Sequence, residues 1–483
     1  MSSKDKIKEL EKEARLLEPT PAQREAVRNK IVEYTEGFIN NIETIPAFVD
    51  GRKESEVFLH SPISEEPAKV EEIIKMLEKG MDNTALNPAS GGHLGYIPGG
   101  GIYYSALGDY WADITNRYAG IFFAGPGAVR IENMLIRWTA QLAGYPEQSV
   151  GNLTSGGSIA NLSAIVTARD DRKITSEKVK KAVIYLSGEV HHCIFKAIRI
   201  AGLAECVVRH LPLDEAYRIK PAELEKLIAE DKQQGLIPFL VVASAGTTDT
   251  GSVDPLQLIG EIAKKHNLWY HVDAAYGGYF LLTDHGKKIL KGIELSDSFA
   301  IDPHKGLFLP YGLGIVIVKN KEALYHSHYY RANYMQDTLG ADEEANPADL
   351  SPELTKHFRG LRLWLPLKLL GLKPFRACLE EKLLLTRYFY EEVKKLGFEV
   401  GPYPDLSVAT YRYISKKHDA NAFNKRLMEE IQKDGRVFIS STMLESRFML
   451  RLAVLSFRTH LSTINTLLQL LKEKTELLEK NGL

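Results

Sequence analysis

The chain has 483 residues, of which 44% are hydrophobic and 25% charged, and its net charge at pH 7 is −1. That length accommodates a large core divided into two or three domains, whereas the near-zero charge gives no field to recruit nucleic acid or an anionic membrane, so neither is expected as a partner. Three scattered cysteines, Cys193, Cys206 and Cys378, make neither a disulfide framework nor a metal-ligand spacing and suit a reducing compartment.

The chain opens on charged amphipathic helical patterns at 4–18 and 21–45, separated by Pro19 and Pro21, rather than on a signal peptide. No apolar run approaches the roughly 18 residues that span a bilayer, so a cytoplasmic protein is expected and the glycosylation patterns at Asn152 and Asn161 are discounted. A further helix is predicted over 66–80. Helices of this kind cannot make a core alone and are expected to pack on the main body or on a second subunit. A glycine- and proline-rich passage, 87–101, follows, and His93 and Tyr96 give it the polar and aromatic handles that loops carry at sites.

A helical pattern at 127–145 leads into Gly151-Asn152-Leu153-Thr154-Ser155-Gly156-Gly157-Ser158 and then an apolar helix, 159–168. Glycines and hydroxyls at the start of a helix make an anion site, because free N–H groups and the helix dipole both point there. Neither the P-loop lysine nor a complete dinucleotide fingerprint is present. Apolar strands are predicted at 182–187, 206–211, 238–245, 268–273, 298–302 and 314–319, alternating with helices near 191–201, 221–234, 254–266 and 284–291. Such alternation means a mostly parallel sheet covered on both faces, with ligands beyond the carboxyl ends of its strands. Ser187, Thr247 with Thr248, Asp273 and Lys305 all stand at such ends. After a polar aromatic stretch, an acidic loop at 340–349 and a basic helical segment, Pro374 marks a boundary. Beyond it a helix (375–396), strands near 398–413, a helix (420–433), a strand pair (436–454) and a last helix (462–480) predict a small α+β domain. The expected division is 1–100, a helical arm and loop; 101–374, the large domain; and 375–483, the small one.

Four features share one edge of the predicted sheet. Asp273 ends a strand too apolar to hold a carboxylate without a partner. His191 begins a helix where a neutral imidazole could lie flat on an aromatic ligand. His271-x-Asp273 has the alternation of a metal pair, but no third ligand accompanies it, and no metal is expected. Lys305 follows Asp302-Pro303 at the mouth of a strand, where desolvation is expected to lower its pKa and make it an amine nucleophile. With the Gly157-Ser158 cradle, these residues meet the needs of pyridoxal phosphate: a phosphate anchor, a partner for the pyridine nitrogen, a ring cover and an amine for the Schiff base.

From about residue 85 to 460 the sequence resembles the pyridoxal-phosphate-dependent group II amino-acid decarboxylases and is most similar to the aromatic-L-amino-acid decarboxylases. The resemblance is carried by Thr154-Ser155-Gly156-Gly157-Ser158, Ser187-Gly188-Glu189-Val190-His191, Gly246-Thr247-Thr248, His271-Val272-Asp273-Ala274-Ala275-Tyr276-Gly277, Pro303-His304-Lys305, Phe358-Arg359-Gly360-Leu361-Arg362-Leu363-Trp364 and Phe448-Met449-Leu450-Arg451-Leu452-Ala453. It implies a fold-type-I α/β protein with a mostly parallel seven-stranded sheet, a small C-terminal α+β domain, and a homodimer with an N-terminal arm on the partner. It also implies decarboxylation of an L-amino acid, aromatic ones favoured, to the amine and carbon dioxide through a Lys305 Schiff base and a quinonoid.

By the same resemblance Asp273 pairs with the pyridine nitrogen, and His191 and Ala275 cover the two ring faces. Gly157, Ser158 and His304 bind phosphate, Thr247 sits near the ring's oxygen substituent, and Tyr96, with His93, lines the substrate pocket. Many relatives have Asn at Asp302 and Trp at Gly306, and Asp302 is expected to repel phosphate unless it turns away. The family's loop tyrosine, which protonates the carbanion, is matched only by Tyr334, because 340–350 contains no tyrosine. Relatives without that tyrosine can divert to oxidative deamination and release an aldehyde. The alternatives are therefore an aldehyde synthase, an acidic-amino-acid decarboxylase, a carbon–carbon lyase and an inactive cofactor-binding scaffold.

Overall fold

Seven strands form the central sheet of the computed structural model, which describes residues 2–330 and 343–481. They are β1 (Val150–Thr154), β2 (Ala182–Ser187), β3 (Val207–Leu211), β4 (Ile237–Ser244), β5 (Trp269–Asp273), β6 (Ser298–Ile301) and β7 (Gly314–Val318). Their order across the sheet is β1-β7-β6-β5-β4-β2-β3. Every pair from β6 to β3 is parallel, and β7 runs antiparallel to both of its neighbours. The six apolar runs read from the sequence are all present. The seventh strand, β1, is not among the strands that the sequence pattern predicts. Gly151 and Asn152 interrupt its apolar pattern, and pairing with β7 overrides that weak local signal.

Both faces of the sheet are covered, as an apolar parallel sheet requires. Along β2, Val183 and Tyr185 enter the core on one side, while Ala182, Ile184 and Leu186 enter the core on the other. Along β4, Val241 and Ala243 alternate with Leu240 and Val242 in the same way. Parallel pairing brings the carboxyl ends of β4, β5 and β6 to one edge.

The leading helices are Ser3–Ala14 and Pro21–Asn40, each begun by a capping box, at Ser2 and Thr20, and neither buries a residue. The pattern at 66–80 becomes Val70–Leu77 with a π-helical turn, Glu78–Asp82. A helix that sequence periodicity did not reveal, Tyr103–Thr115, packs on Gly360–Leu370 and leaves Tyr103, Tyr104, Leu107, Tyr110, Trp111 and Ile114 exposed. The stretch after 320, read as polar and aromatic, contains the helix Lys321–His328.

The C-terminal strands β8 (Glu399–Val400), β9 (Val408–Arg412), β10 (Ser440–Leu444) and β11 (Arg447–Ala453) form an antiparallel sheet ordered β8-β9-β11-β10. Helices Ala420–Asp434 and Leu461–Asn481 share its core. The glycine-rich passage is stitched to this sheet. Leu94 N–H donates to Phe438 O and Ala453 N–H to Leu94 O, both at 2.8 Å, and Leu94 is fully buried.

Candidate active site

The carboxyl ends of β4, β5 and β6, the start of helix Gly157–Asp171 and the passage around Tyr96 enclose a cavity of about 520 Å³. Its walls carry Lys305, Asp273, His191, Gly157, Ser158, Thr247, Ala275, His304 and Tyr96. His93 stands behind that wall. Its ring packs against Tyr96 at 6.0 Å and Phe438 at 5.5 Å, drawn there by the bridge between residues 93 and 438. Ser187 turns away as well, and its Oγ accepts a hydrogen bond from Glu189 N–H. Tyr334 lies outside the described residues.

Lys305 sits on a one-turn helix, Pro303–Gly306, directly after β6. Its Nζ is 3.1 Å from Asp302 Oδ2. Burial alone would depress the ammonium, but the carboxylates of Asp302 and Asp273 outweigh it and hold the lysine above its ordinary value. The expectation of a depressed lysine is thus overturned: two buried carboxylates face it, and the carboxylate nearer in the chain makes direct contact. Nor does Asp302 point away from the cradle. It is 1% exposed, and a Cβ on Gly157 would fall 2.8 Å from its Oδ2. The other departure has a packing reason, since a Cβ on Gly306 would come within 2.8 Å of the Cβ of Tyr279, so the backbone here runs against a buried tyrosine.

Asp273 is buried at the end of β5, and its Oδ1 accepts the Ala275 N–H at 3.1 Å. His191 precedes helix His192–Ile200, and its Nδ1 accepts the Cys193 N–H at 3.3 Å, leaving any ring proton of the neutral form on Nε2. Burial lowers its pKa against the pull of Asp273, so the ring is neutral near pH 7. His271 is no metal ligand. Trp269 Nε1–H donates to Ser298 Oγ at 2.9 Å, Ser298 bonds His271 Nδ1 at 2.9 Å, and His271 Nε2 bonds Asn161 Oδ1 at 2.7 Å. Asn161 Nδ2 then reaches Cys193 Sγ at 3.5 Å. Burial pushes His271 down to about 4 and the Cys193 thiol up to about 12.

No side chain caps helix Gly157–Asp171, so its first N–H groups open onto the cavity between Ser155 and Ser158. His304 Nδ1 donates to Leu313 O at 2.5 Å, which turns Nε2 toward Asp302 at 3.8 Å. Thr247 Oγ1 is 2.8 Å from Thr250 Oγ1 and accepts from Ser252 N–H. An uncapped helix start, a buried carboxylate and an amine suit a phosphorylated pyridine aldehyde.

Arg451 and Tyr311, both on the wall, had no role read from the sequence. Arg451, on β11, bonds the carbonyls of Gly95 and Asp249, and its Nη2 has no hydrogen-bond partner among the described residues. It belonged to a motif quoted for resemblance, and its burial was the missing information. Tyr311, with its ring edge toward His304 at 5.8 Å, follows a proline in a loop that no periodicity marks.

The family model for the pyridoxal-dependent decarboxylase conserved domain matches residues 57–413. An aromatic-L-amino-acid decarboxylase of Bacillus atrophaeus is 30% identical over 87% of this chain and 88% of its own. A phenylacetaldehyde synthase of Petunia hybrida is 28% identical over 91% of each. Among solved structures, Oryza sativa TDC with PLP and tryptamine aligns with a TM-score of 0.89 at 24% identity, over 96% of this chain and 99% of that one. With the parallel sheet, the lysine after β6 and the carboxylate after β5 all in place, the chain belongs to the pyridoxal-dependent decarboxylases, enzymes that use pyridoxal phosphate to remove carbon dioxide from amino acids.

Proposed function

We propose that this decarboxylase acts on an aromatic L-amino acid and releases the corresponding amine, with Lys305, Asp273 and His191 as its working residues. The observation that carries the reading is the convergence of those three side chains and an uncapped helix start on one cavity of about 520 Å³. The aromatic preference rests on relatives that bear that name and on walls supplied by Tyr96, Ile97, Tyr276 and Tyr311.

The bound cofactor supplies a conjugated ring that withdraws the electron pair left when carbon dioxide departs. Lys305 Nζ is the amine that would hold the aldehyde of the bound cofactor. Asp273 would keep a proton on the ring nitrogen, since a buried carboxylate favours the charged partner beside it. His191, neutral and fixed through Nδ1, and Ala275 would cover the two faces of the ring. Gly157, Ser158 and His304 would take the phosphate, Thr247 would serve the ring's oxygen substituent, and Tyr96 would meet the substrate side chain. Tyr334 is the proposed donor of the proton that completes the amine.

Two alternatives each have an observation behind them. A relative named phenylacetaldehyde synthase raises aldehyde release. The unpartnered Nη2 of Arg451 on the cavity wall is what an acidic side chain would seek. A cytoplasmic homodimer divided near residues 100 and 374 is part of the same reading. The aromatic face of Tyr103–Thr115 and leading helices that bury nothing support the dimer. No helix among the described residues is long and apolar enough to cross a membrane.

The test is to screen each standard amino acid for carbon dioxide, amine, aldehyde and peroxide, with Lys305→Ala as control. The proposal expects carbon dioxide and amine, without peroxide, from aromatic substrates. It also expects a yellow absorbance band on cofactor addition that Lys305→Ala lacks. Peroxide with aldehyde, or turnover confined to acidic substrates, replaces it with the corresponding alternative. A coloured protein that turns over nothing is the inactive scaffold.

A further inference from the structure

Asp302 is the buried charge that the reading above leaves without a task. It stands at the end of β6, and its backbone carbonyl accepts the N–H groups of Lys305 and Gly306. Its carboxylate does not cap that turn. Instead Oδ2 meets Lys305 Nζ at 3.1 Å and His304 Nε2 at 3.8 Å. Oδ1 has no hydrogen-bond partner among the described residues. Room for it comes from two glycines: a Cβ on Gly157 would lie 2.8 Å from Oδ2, and one on Gly314 2.6 Å from Oδ1. The carboxylate is thereby wedged between the start of helix Gly157–Asp171 and β7, where the helix dipole steadies a negative charge.

A buried carboxylate in direct contact with a lysine stabilises the ammonium and opposes the neutral amine. The charged and titratable groups around Lys305 are few. Asp302 comes from β6 and Asp273 from β5, His191 and Cys193 from the start of helix His192–Ile200, and His304 and Tyr311 flank the lysine itself. Of these only the two aspartates favour the ammonium at neutral pH, because the Cys193 thiol stays protonated. Asp273 is the partner assigned to the ring nitrogen, which leaves Asp302 as the counter-ion that stays with the lysine.

We propose that Asp302 is a positioning residue that holds Lys305 Nζ as an ammonium, and so sets the pH at which the lysine condenses with the cofactor aldehyde. The inference rests on Lys305 being the cofactor's amine. Condensation requires the ammonium first to give a proton to water. The nitrogen lone pair then bonds the aldehyde carbon, and the carbonyl oxygen leaves as water with the two remaining Nζ hydrogens. Asp302 resists the first of these events and orients Nζ for the second. Its charge also competes with phosphate for the helix start, so the cofactor must arrive where a carboxylate already stands.

The experiment uses the full chain freed of cofactor, with pyridoxal 5′-phosphate as the probe. The rate of appearance of the yellow band is followed against pH in the native protein, Asp302→Asn and Lys305→Ala. Removing the charge should lower the pH midpoint of capture by about one unit or more, so that Asp302→Asn captures about tenfold faster at neutral pH. A midpoint that stays in place in Asp302→Asn, with Lys305→Ala colourless, overturns the role of Asp302 and leaves Lys305 as the anchor. A band in Lys305→Ala overturns the anchor itself. Should Asp302→Asn not fold, the native protein alone decides. Amidination of Lys305 by methyl acetimidate, read by peptide mass spectrometry, should have its pH midpoint above that of exposed lysines. A midpoint below theirs overturns the proposal.

Discussion

In the proposed reading Asp273 is a fixed charge and Lys305 a reactive amine, and their surroundings differ accordingly. The carboxylate of Asp273 is held by Ala275 N–H on the chain just beyond β5. Asp273→Asn keeps that bond and the shape but removes the charge, so the cofactor should still bind while the electron sink weakens. The expected loss in kcat is about 10²–10³-fold, the scale of removing one preorganised electrostatic group. Steady-state rates with the best substrate from the screen, beside a normal cofactor content, check it. Unchanged kcat would mean that the ring nitrogen has another partner. The residues of this site were legible because each has a chemistry that its neighbours betray: a carboxylate in an apolar strand, glycines before a helix, a lysine after Asp-Pro. The state of Lys305 was not legible. The sequence shows the lysine entering a buried place, but only the fold turns the side chain of Asp302 back onto it.

At the scale of elements, the inner strands of the sheet were readable because they are buried on both faces and mostly apolar, whereas the edge strand β3, with Arg209 and His210, was readable from its leading valines. β1 and the helix Tyr103–Thr115 were not, because their stability comes from partners distant in sequence. β1 needs β7, and the helix needs Gly360–Leu370. The helix also presents tyrosines and a tryptophan to solvent, against the rule by which a surface helix hides its apolar stripe. If a second copy covers that face, Trp111→Asp should shift the protein from dimer toward monomer with its helix content retained. Light scattering on a sizing column would read this. A mass equal to that of the native protein across the concentration range would place the interface elsewhere.

For the whole molecule, acid is the condition that the buried histidines make costly. Burial drives His93 and His271 from the ordinary 6.5 down to about 4. The unfolded chain therefore takes up protons on both below pH 6.5, whereas the folded chain refuses them until near pH 4. Stability from these two rings is fully present above pH 6.5 and is lost as pH falls through that window, on the order of 3 kcal/mol for each ring by pH 4. Calorimetric melting temperatures should fall across this range, and His271→Gln should flatten the fall. A slope unaltered by that change would assign the acid sensitivity to other groups.

The stitching of Leu94 to the small sheet has a consequence for how such an enzyme can be altered. Tyr96 is carried by a passage sewn to β11 and to Phe438, and Arg451 reaches from β11 to the carbonyl of Gly95. The bond-breaking side chains belong to the other sheet. Arg451 bonds the carbonyl of Asp249 as well as that of Gly95, so the small sheet is tied at once to the Tyr96 passage and to the large domain. Under the proposed roles, a change in the C-terminal sheet that shifts this passage would move Tyr96 while Lys305 and Asp273 stay on the strand ends of the large sheet.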